Sequence, residues 1–244
     1  MTGNTDILEA KNLVKSYHGK RVVDKISITL RRKEIIGLLG PNGAGKTTTF
    51  YMIIGLARPD EGHVYLNGVN ITSDPMYMRA RKGITYLAQE PSVFRKLTVE
   101  ENLQVIMEGL DFPYQEIKEK TDHLLSELGI RHLAKQKASS LSGGERRRLE
   151  ITRALVTEPR FMLLDEPFAG IDPLALNDIQ KLIKHLKHRG IGIIISDHNV
   201  RETLTVCDSA FIINKGNIIE SGPPDRIVNS EIARHVYLGA HFNM

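Results

Sequence analysis

The sequence of 244 residues contains a single cysteine, Cys207, which excludes an internal disulfide and any metal site built from several cysteines. No run approaches the ~18 to 20 consecutive apolar residues that a membrane-spanning helix needs, so the chain does not cross a bilayer by itself. The first stretch, residues 1–11, carries Asp6 and Glu9 where a secretory leader has a basic region followed by an apolar one. These absences set the expectation of a cytoplasmic protein. Internal repeats, low-complexity tracts and long linkers are lacking as well. Charge of one sign is also scarce: 33 Lys and Arg against 29 Asp and Glu leave a net +4, which permits an anionic partner without demanding one. What remains is 41% hydrophobic and 25% charged residues, the composition of an ordinary globular protein. The length fits one large α/β domain, or a domain with an inserted lobe, and can bury a sizeable core.

Patterning along the chain refines this. Residues 22–30 (VVDKISITL) alternate apolar and polar, the period of a half-buried strand. Residues 34–40 (EIIGLLG) form a continuous apolar run ending in glycine, as a central strand buried on both faces does. A helix is predicted over 46–56, with strands over 62–67 and 84–87. From about 91 to 155 the pattern turns helical, with helices over 98–107, 116–128 and 142–155. Strand-like runs return at 161–164, 192–196, 210–214 and 217–220, and short helices follow at 224–228 and 231–237. Strand, long helical insert, then strand again implies an α/β core interrupted by a helical lobe.

Residues 40–47 (GPNGAGKT) match all eight positions of the phosphate-binding P-loop, between a predicted buried strand and a predicted helix. Gly40, Gly43 and Gly45 let the backbone wrap closely, so that N–H groups and the helix N-terminus face phosphate. Lys46 adds a point charge at the β and γ phosphates, and Thr47 offers a hydroxyl to Mg²⁺. Pro41, Asn42, Ala44 and Thr48 complete the nucleotide-contacting stretch. Further along, residues 161–166 (FMLLDE) form an apolar strand that delivers Asp165 and Glu166 to its carboxyl end, where open α/β sheets bind ligands. Asp165 there holds Mg²⁺ through its water shell, and Glu166 polarises an attacking water as general base.

Residues 141–145 (LSGGE) precede a helical segment. Ser142 and Glu145 are spaced as a capping box. Gly143 and Gly144 are costly in a first helical turn and unnecessary for a cap. They make sense where something approaches the backbone, which would make this helix end a second phosphate receptor.

With these motifs in order, the sequence resembles the ABC transporter ATPases over nearly its whole length. LSGGE is similar to the family signature, with glutamate where glutamine is commoner, and FMLLDE to its Walker B strand. The resemblance implies a P-loop NTPase core at about 1–89 and 157–244, an N-terminal antiparallel β region, and a helical subdomain at about 90–156. It also implies roles for residues that carry little signal alone. Gln89 falls at the Q-loop, which touches Mg²⁺ and the nucleophilic water. Residues 169–172 fall at the D-loop, His198 at the switch histidine, and Tyr17 at the aromatic that stacks on adenine. Ser142, Gly143, Gly144 and Glu145 then complete the ATP site of a second copy, so the chain is expected to act as a homodimer around two ATP.

Residues 47–52, 145–148, 167–173 and 197–204, with 236–239 and Phe242, resemble one subfamily, the ATPases of bacterial lipopolysaccharide exporters. The branched-chain amino-acid importer ATPases are the nearest alternative. A soluble ABC-type ATPase acting on nucleic acid or ribosomes is more remote, because such chains fuse two cassettes or insert coiled coils; no nucleic-acid partner is expected. None of these stretches reads out a cargo chemically. The resemblance implies two integral-membrane partner subunits and a peripheral place on the cytoplasmic face of the inner membrane. Phe94, flanked by Arg95 and Lys96, reads either as a side chain tucked under the helical lobe or as the docking anchor for those subunits. Arg146, Arg147 and Arg148 fan across a helix and read first as solvated, or paired with nearby acids. Arg31, Arg32 and Lys33 read as a surface turn.

Overall fold

The computed structural model describes residues 6–239 and 242, so residues 1–5 of the stretch read for a leader lie outside the description. In chain order it contains β1 (Ile7–Tyr17), β2 (Lys20–Arg31), β3 (Ile35–Leu39), α1 (Lys46–Ile54), β4 (Glu61–Leu66), β5 (Val69–Asn70), α2 (Met76–Arg81) and β6 (Ile84–Leu87). Then come α3 (Val99–Glu108), α4 (Tyr114–Glu127), α5 (Gly143–Leu155), β7 (Phe161–Asp165), α6 (Pro173–His188), β8 (Gly192–Ser196), α7 (Val200–Val206), β9 (Ser209–Asn214), β10 (Asn217–Gly222), α8 (Pro224–Asn229) and α9 (Glu231–Ala233).

The continuous apolar runs become the centre of a six-stranded sheet ordered β10-β9-β3-β8-β7-β6. Its strands are parallel from β9 to β6, and β10 closes the edge antiparallel to β9. Every residue of β3, β7 and β8 is buried, as strands covered on both faces require. Period-2 alternation divides their side chains between two cores. Ile35, Leu39, Met162, Leu164, Ile193 and Ile195 pack with the helices of the insert and α6. Ile36, Leu38, Phe161, Leu163 and Ile194 pack with α1 and the second sheet. That second sheet is antiparallel, ordered β2-β1-β4-β5. The expected P-loop α/β fold, with a helical insert and an antiparallel region near the N-terminus, is the fold observed.

The structure also departs from the expected elements, with α2, α7 and β5 among those not expected. Strand β1, not among the expected strands, carries register shifts between Ala10 and Leu13, Leu13 and Lys15, and Lys15 and Ser16, and Asn12 has φ 52°. These bulges break the alternation that marks a strand in sequence. Helix α6 was also unexpected, although Ile179, Leu182, Ile183 and Leu186 are buried at i, i+3, i+4 and i+7 spacing. The helix expected over 231–237 is instead one α turn followed by a π turn, Arg234–Leu238.

Two elements that frame the site are held by side chains. Thr98 caps α3 in a full capping box with Glu101. Helix α1 ends on the guanidinium of Arg79, which is 1% exposed. Arg79 Nη1 donates to the last-turn carbonyls of Met52 (2.7 Å) and Ile53 (2.6 Å), Nη2 to Thr72 O (2.9 Å) and Nε to Asp74 O (2.9 Å). A cation at the C-terminus of a helix satisfies orphan carbonyls and the macrodipole together. Burial nevertheless pushes the Arg79 pKa down to about 10.

Candidate functional site

The P-loop joins β3 to α1. A Cβ at Gly40 would lie 2.1 Å from Ile213 O and one at Gly45 2.6 Å from Val22 O, both at positive φ, so glycine alone fits these two points. Gly45 caps α1 with no side-chain acceptor, and the first turn of α1 holds no acid. The donors and positive partial charge of that helix end are left for an anion. Lys46 Nζ, at the rim, donates to Gly40 O (2.6 Å) and Pro41 O (3.0 Å). Burial lowers its pKa, opposed by Glu166, Asp165 and Asp197. Val22, Asn42, Gly43, Ala44, Gly45, Lys46, Thr47, Thr48, Glu166 and Ser196 line a cavity of about 160 Å³ here.

Asp165 ends β7 and is buried beside this loop. Tyr86 of β6 donates its hydroxyl to Asp165 Oδ2 at 3.1 Å. Burial raises the Asp165 pKa against the hydrogen bonds from Tyr86 and Ser196, while Glu166 adds to the rise. Glu166 follows at φ 46°, a left-handed conformation that L residues with a side chain adopt at a cost. Its N–H donates to Ser196 O at 2.6 Å, which pins the turn to the neighbouring strand. The carboxylate accepts from Gln89 Nε2 at 2.7 Å and lies 3.4 Å from His198 Nδ1. Gln89, Asp165, Glu166 and His198, drawn from three strand ends, thus meet at one edge of the P-loop.

Thr47 lines the P-loop cavity and the buried Asp165 carboxylate lies within electrostatic reach of Lys46, both oxygen donors of the kind a hard cation takes. Among the described residues no group of three or more His, Cys, Asp and Glu forms a metal cage. One carboxylate, one hydroxyl and substrate phosphates are how Mg²⁺ is commonly held.

The signature turn lies elsewhere. Ser142 caps α5 and Glu145 returns the bond, so the capping box is real. Gly143, together with Gln89, Glu166 and Gly170, lines a separate cavity of about 320 Å³. The two glycines answer to the chain's own packing: a Cβ at Gly143 would lie 2.9 Å from Gly170 O, and one at Gly144 2.9 Å from Ala175 Cβ.

The expectation for the arginine run holds only in part. Arg148 is paired loosely with Asp178 at 3.6 Å, but Arg147 is buried. Arg147 Nη1 donates to Ala88 O (3.1 Å) and Glu150 Oε2 (2.9 Å), and Nη2 donates to Asp165 O (3.1 Å). Glu150 in turn accepts from Ser92 N at 3.0 Å, and Arg153 Nη1 donates to Ser92 O at 2.6 Å. Arg147, Glu150 and Arg153, spaced i, i+3 and i+6 on α5, therefore grip the segment that carries Gln89 and Phe94. Arg32 is likewise anchored rather than free, donating from Nε to Gly190 O at 2.7 Å.

Phe94 is partly exposed rather than tucked under the helical lobe. Buried Asn102 accepts from Phe94 N at 2.8 Å and donates to Phe94 O at 3.1 Å, and the ring stands 46% exposed beneath the Arg153 guanidinium at 4.7 Å. Tyr17 is 43% exposed at the end of β1 with Lys15 Nζ 5.6 Å from its ring centre, while Val22 rather than Tyr17 lines the P-loop cavity. Sequence reasoning missed Tyr86, Glu150 and Asp197. Buried Asp197 accepts from Phe168 N at 3.0 Å and Asn199 N at 2.8 Å, tying the segment after Glu166 to the histidine loop. Its place between the end of a buried strand and His198 was the available signal.

Comparison with known proteins shows the family. The family model described as ABC transporter matches residues 23–169. The lipopolysaccharide export system ATP-binding protein LptB of Haemophilus influenzae is 52% identical over 239 residues, covering 98% of this chain and 99% of that protein. The protein of the same name from Escherichia coli strain K12 is 48% identical over 238 residues, 97% of this chain and 99% of the relative. Among solved structures, a nucleotide-free ATP-binding cassette from an ABC transporter superposes with TM-score 0.87 at 29% identity, covering 96% of this chain and 99% of that one.

Proposed function

The chain belongs to the ABC transporter family, and on that premise we propose that it is the motor of a lipopolysaccharide exporter, working as a homodimer beneath integral-membrane subunits. It is an ATPase whose hydrolysis is coupled to transport. The observation that carries the hydrolytic mechanism is the meeting of Gln89, Glu166 and His198 beside the P-loop.

Phosphoryl transfer to water asks the protein for positioning and charge stabilisation more than for covalent chemistry. The backbone N–H groups of the P-loop and Lys46 hold the phosphates, with Lys46 exchanging the carbonyls of Gly40 and Pro41 for phosphate oxygens. Thr47 and Asp165 would hold Mg²⁺, which would supply neutralisation of the phosphate charge when bound. Glu166 takes a proton from the attacking water, oriented by Gln89 and His198. Tyr17 stacks on the adenine. Residues 90–156 act as the helical lobe, and the grip of α5 on residues 88–94 links Phe94, the docking point for membrane subunits, to Glu166. Among the described residues no helix is long and apolar enough to cross a membrane. In this reading the transport path belongs to those subunits, and the chain is peripheral on the cytoplasmic face of the inner membrane, as the resemblance to the export ATPases suggests.

The named relatives favour this cargo over branched-chain amino acids. The test is affinity purification from detergent-solubilised bacterial membranes, followed by reconstitution of the complex into proteoliposomes loaded with lipopolysaccharide. Co-purifying membrane subunits and ATP-dependent lipopolysaccharide extraction are expected. Recovery of an amino-acid permease, or of RNA and ribosomes, would overturn the assignment in favour of one alternative or the other.

A further inference from the structure

The two helix ends read as phosphate receptors differ in one respect. The first turn of α1 holds no acid and its cap has no side-chain bond, whereas the first turn of α5 holds Glu145 and is already closed on it. Ser142 Oγ lies 2.7 Å from Glu145 Oε2 and accepts from Glu145 N at 3.3 Å, and Ser142 N donates to the same Oε2 at 2.8 Å. A serine hydroxyl has one proton to give. Since Oγ is the acceptor toward Glu145 N, that proton goes to the carboxylate. The side-chain bond from Ser142, then its backbone N–H, hold the Glu145 carboxyl below its ordinary range against the opposing effect of burial, and His132 and Arg148 add smaller attractions. The α5 N-terminus, whose partial charge suits an anion, is therefore occupied by an anion of its own chain.

We propose that Glu145 competes with the γ-phosphate for Ser142 and thereby sets the ATP concentration at which two copies close. The inference rests on the reading that the signature turn of one copy meets ATP held on the P-loop of the other. On closure Ser142 transfers its hydrogen bond from the carboxylate to a phosphate oxygen. Two successive bonds of roughly 2.7 Å place that oxygen within about 5.5 Å of Glu145 Oε2, close enough for two anions at a partly exposed site to repel. Each closed dimer contains two such turns, so the effect operates twice.

The test compares Glu166→Gln, which blocks turnover, with the double variant Glu145→Gln/Glu166→Gln. Glutamine keeps an acceptor for Ser142 N–H and removes the charge. ATP-driven dimerisation is followed by sedimentation velocity, in low salt and in 0.5 M NaCl. The double variant is expected to reach half-dimerisation at roughly tenfold less ATP in low salt, the scale of a screened charge at this distance, and the gap is expected to narrow at high salt. Glu145→Asp in the same background keeps the charge and gives no tightening. An unchanged or raised ATP midpoint for Glu145→Gln, with only a lowered Tm, makes Glu145 a helix cap and nothing more, and overturns the proposal. If the Glu166→Gln parent stays monomeric at saturating ATP, the two-copy reading fails first and takes this one with it.

Discussion

At the scale of single residues, the site is built from groups held in states that cost the fold. Glu166 sits in the left-handed region, fixed by Ser196 O, with Gln89 donating to its carboxylate. If it is the general base, Glu166→Gln lowers phosphate release by about 100-fold or more while nucleotide binding survives, because the amide keeps the shape and loses the basicity. A steady-state phosphate assay beside a nucleotide-binding titration checks both halves. Asp165 shows the same tension in its titration. Its folded pKa is raised above the ordinary value, so its favourable contribution is complete only below the unfolded pKa near 4 and is lost as pH rises through the folded value. At neutral pH the buried carboxylate therefore burdens the nucleotide-free fold. Asp165→Asn is expected to raise Tm at pH 7, with the advantage shrinking toward pH 4, while Mg²⁺-dependent hydrolysis collapses. A lower Tm at pH 7 would show that the bonds from Tyr86 and Ser196 outweigh desolvation.

At the scale of elements, side-chain clamps position the helices that matter. The carbonyls of Met52, Ile53, Thr72 and Asp74 all depend on Arg79, which joins the end of α1 to the segment leading into α2. Arg79→Met fills much of the volume and satisfies none of the acceptors. A loss of about 3 kcal/mol or more in urea unfolding is expected, the scale of a buried charged hydrogen-bond network that loses its donor. Helix α5 works in the same manner from its other side: Arg147 and Glu150 are buried against the Q-loop segment, and Arg153 reaches Ser92 and the Phe94 ring. In sequence, a run of three arginines reads as solvated or paired with nearby acids; Arg147 does pair with Glu150, and the facing carbonyls of Ala88 and Asp165 add the reason it is buried.

At the scale of the whole molecule, one six-stranded sheet separates two apolar cores, and the site occupies the carboxyl ends of its strands. Gly143 of the α5 turn lines a cavity other than the one lined by the P-loop, and Glu166 borders both. The surface near Phe94 is a third feature at this scale. A cavity of about 240 Å³ beside it is lined by Met76, Ala80, Ile106, Arg153 and Ala154 among others, and Tyr77 and Met78 stand exposed nearby. Phe94→Ala is expected to impair assembly with membrane subunits in co-purification, while the ATPase activity of the isolated chain survives. Undiminished assembly would move the docking point elsewhere on this face.

The sequence by itself determined what depends on local chemistry. Glycines at positions 40, 43 and 45 followed by Lys46 and Thr47, an apolar strand ending in Asp165 and Glu166, and a capping box at Ser142 each state their geometry in a few neighbouring residues. The apolar runs likewise declared the buried strands, since backbone covered on both faces tolerates little else. Tertiary structure decided whatever depends on partners distant in the chain. It reads β1 as a strand despite bulges that spoil its alternation, buries Arg147 and Arg79 against carbonyls no local pattern announces, and brings Tyr86 to Asp165 across 79 positions. It also packs Gly143 and Gly144 against Gly170 and Ala175. Local motifs are legible because covalent connection fixes their spacing. Buried polar networks are not, because their partners are chosen only when the sheet and the helices come together.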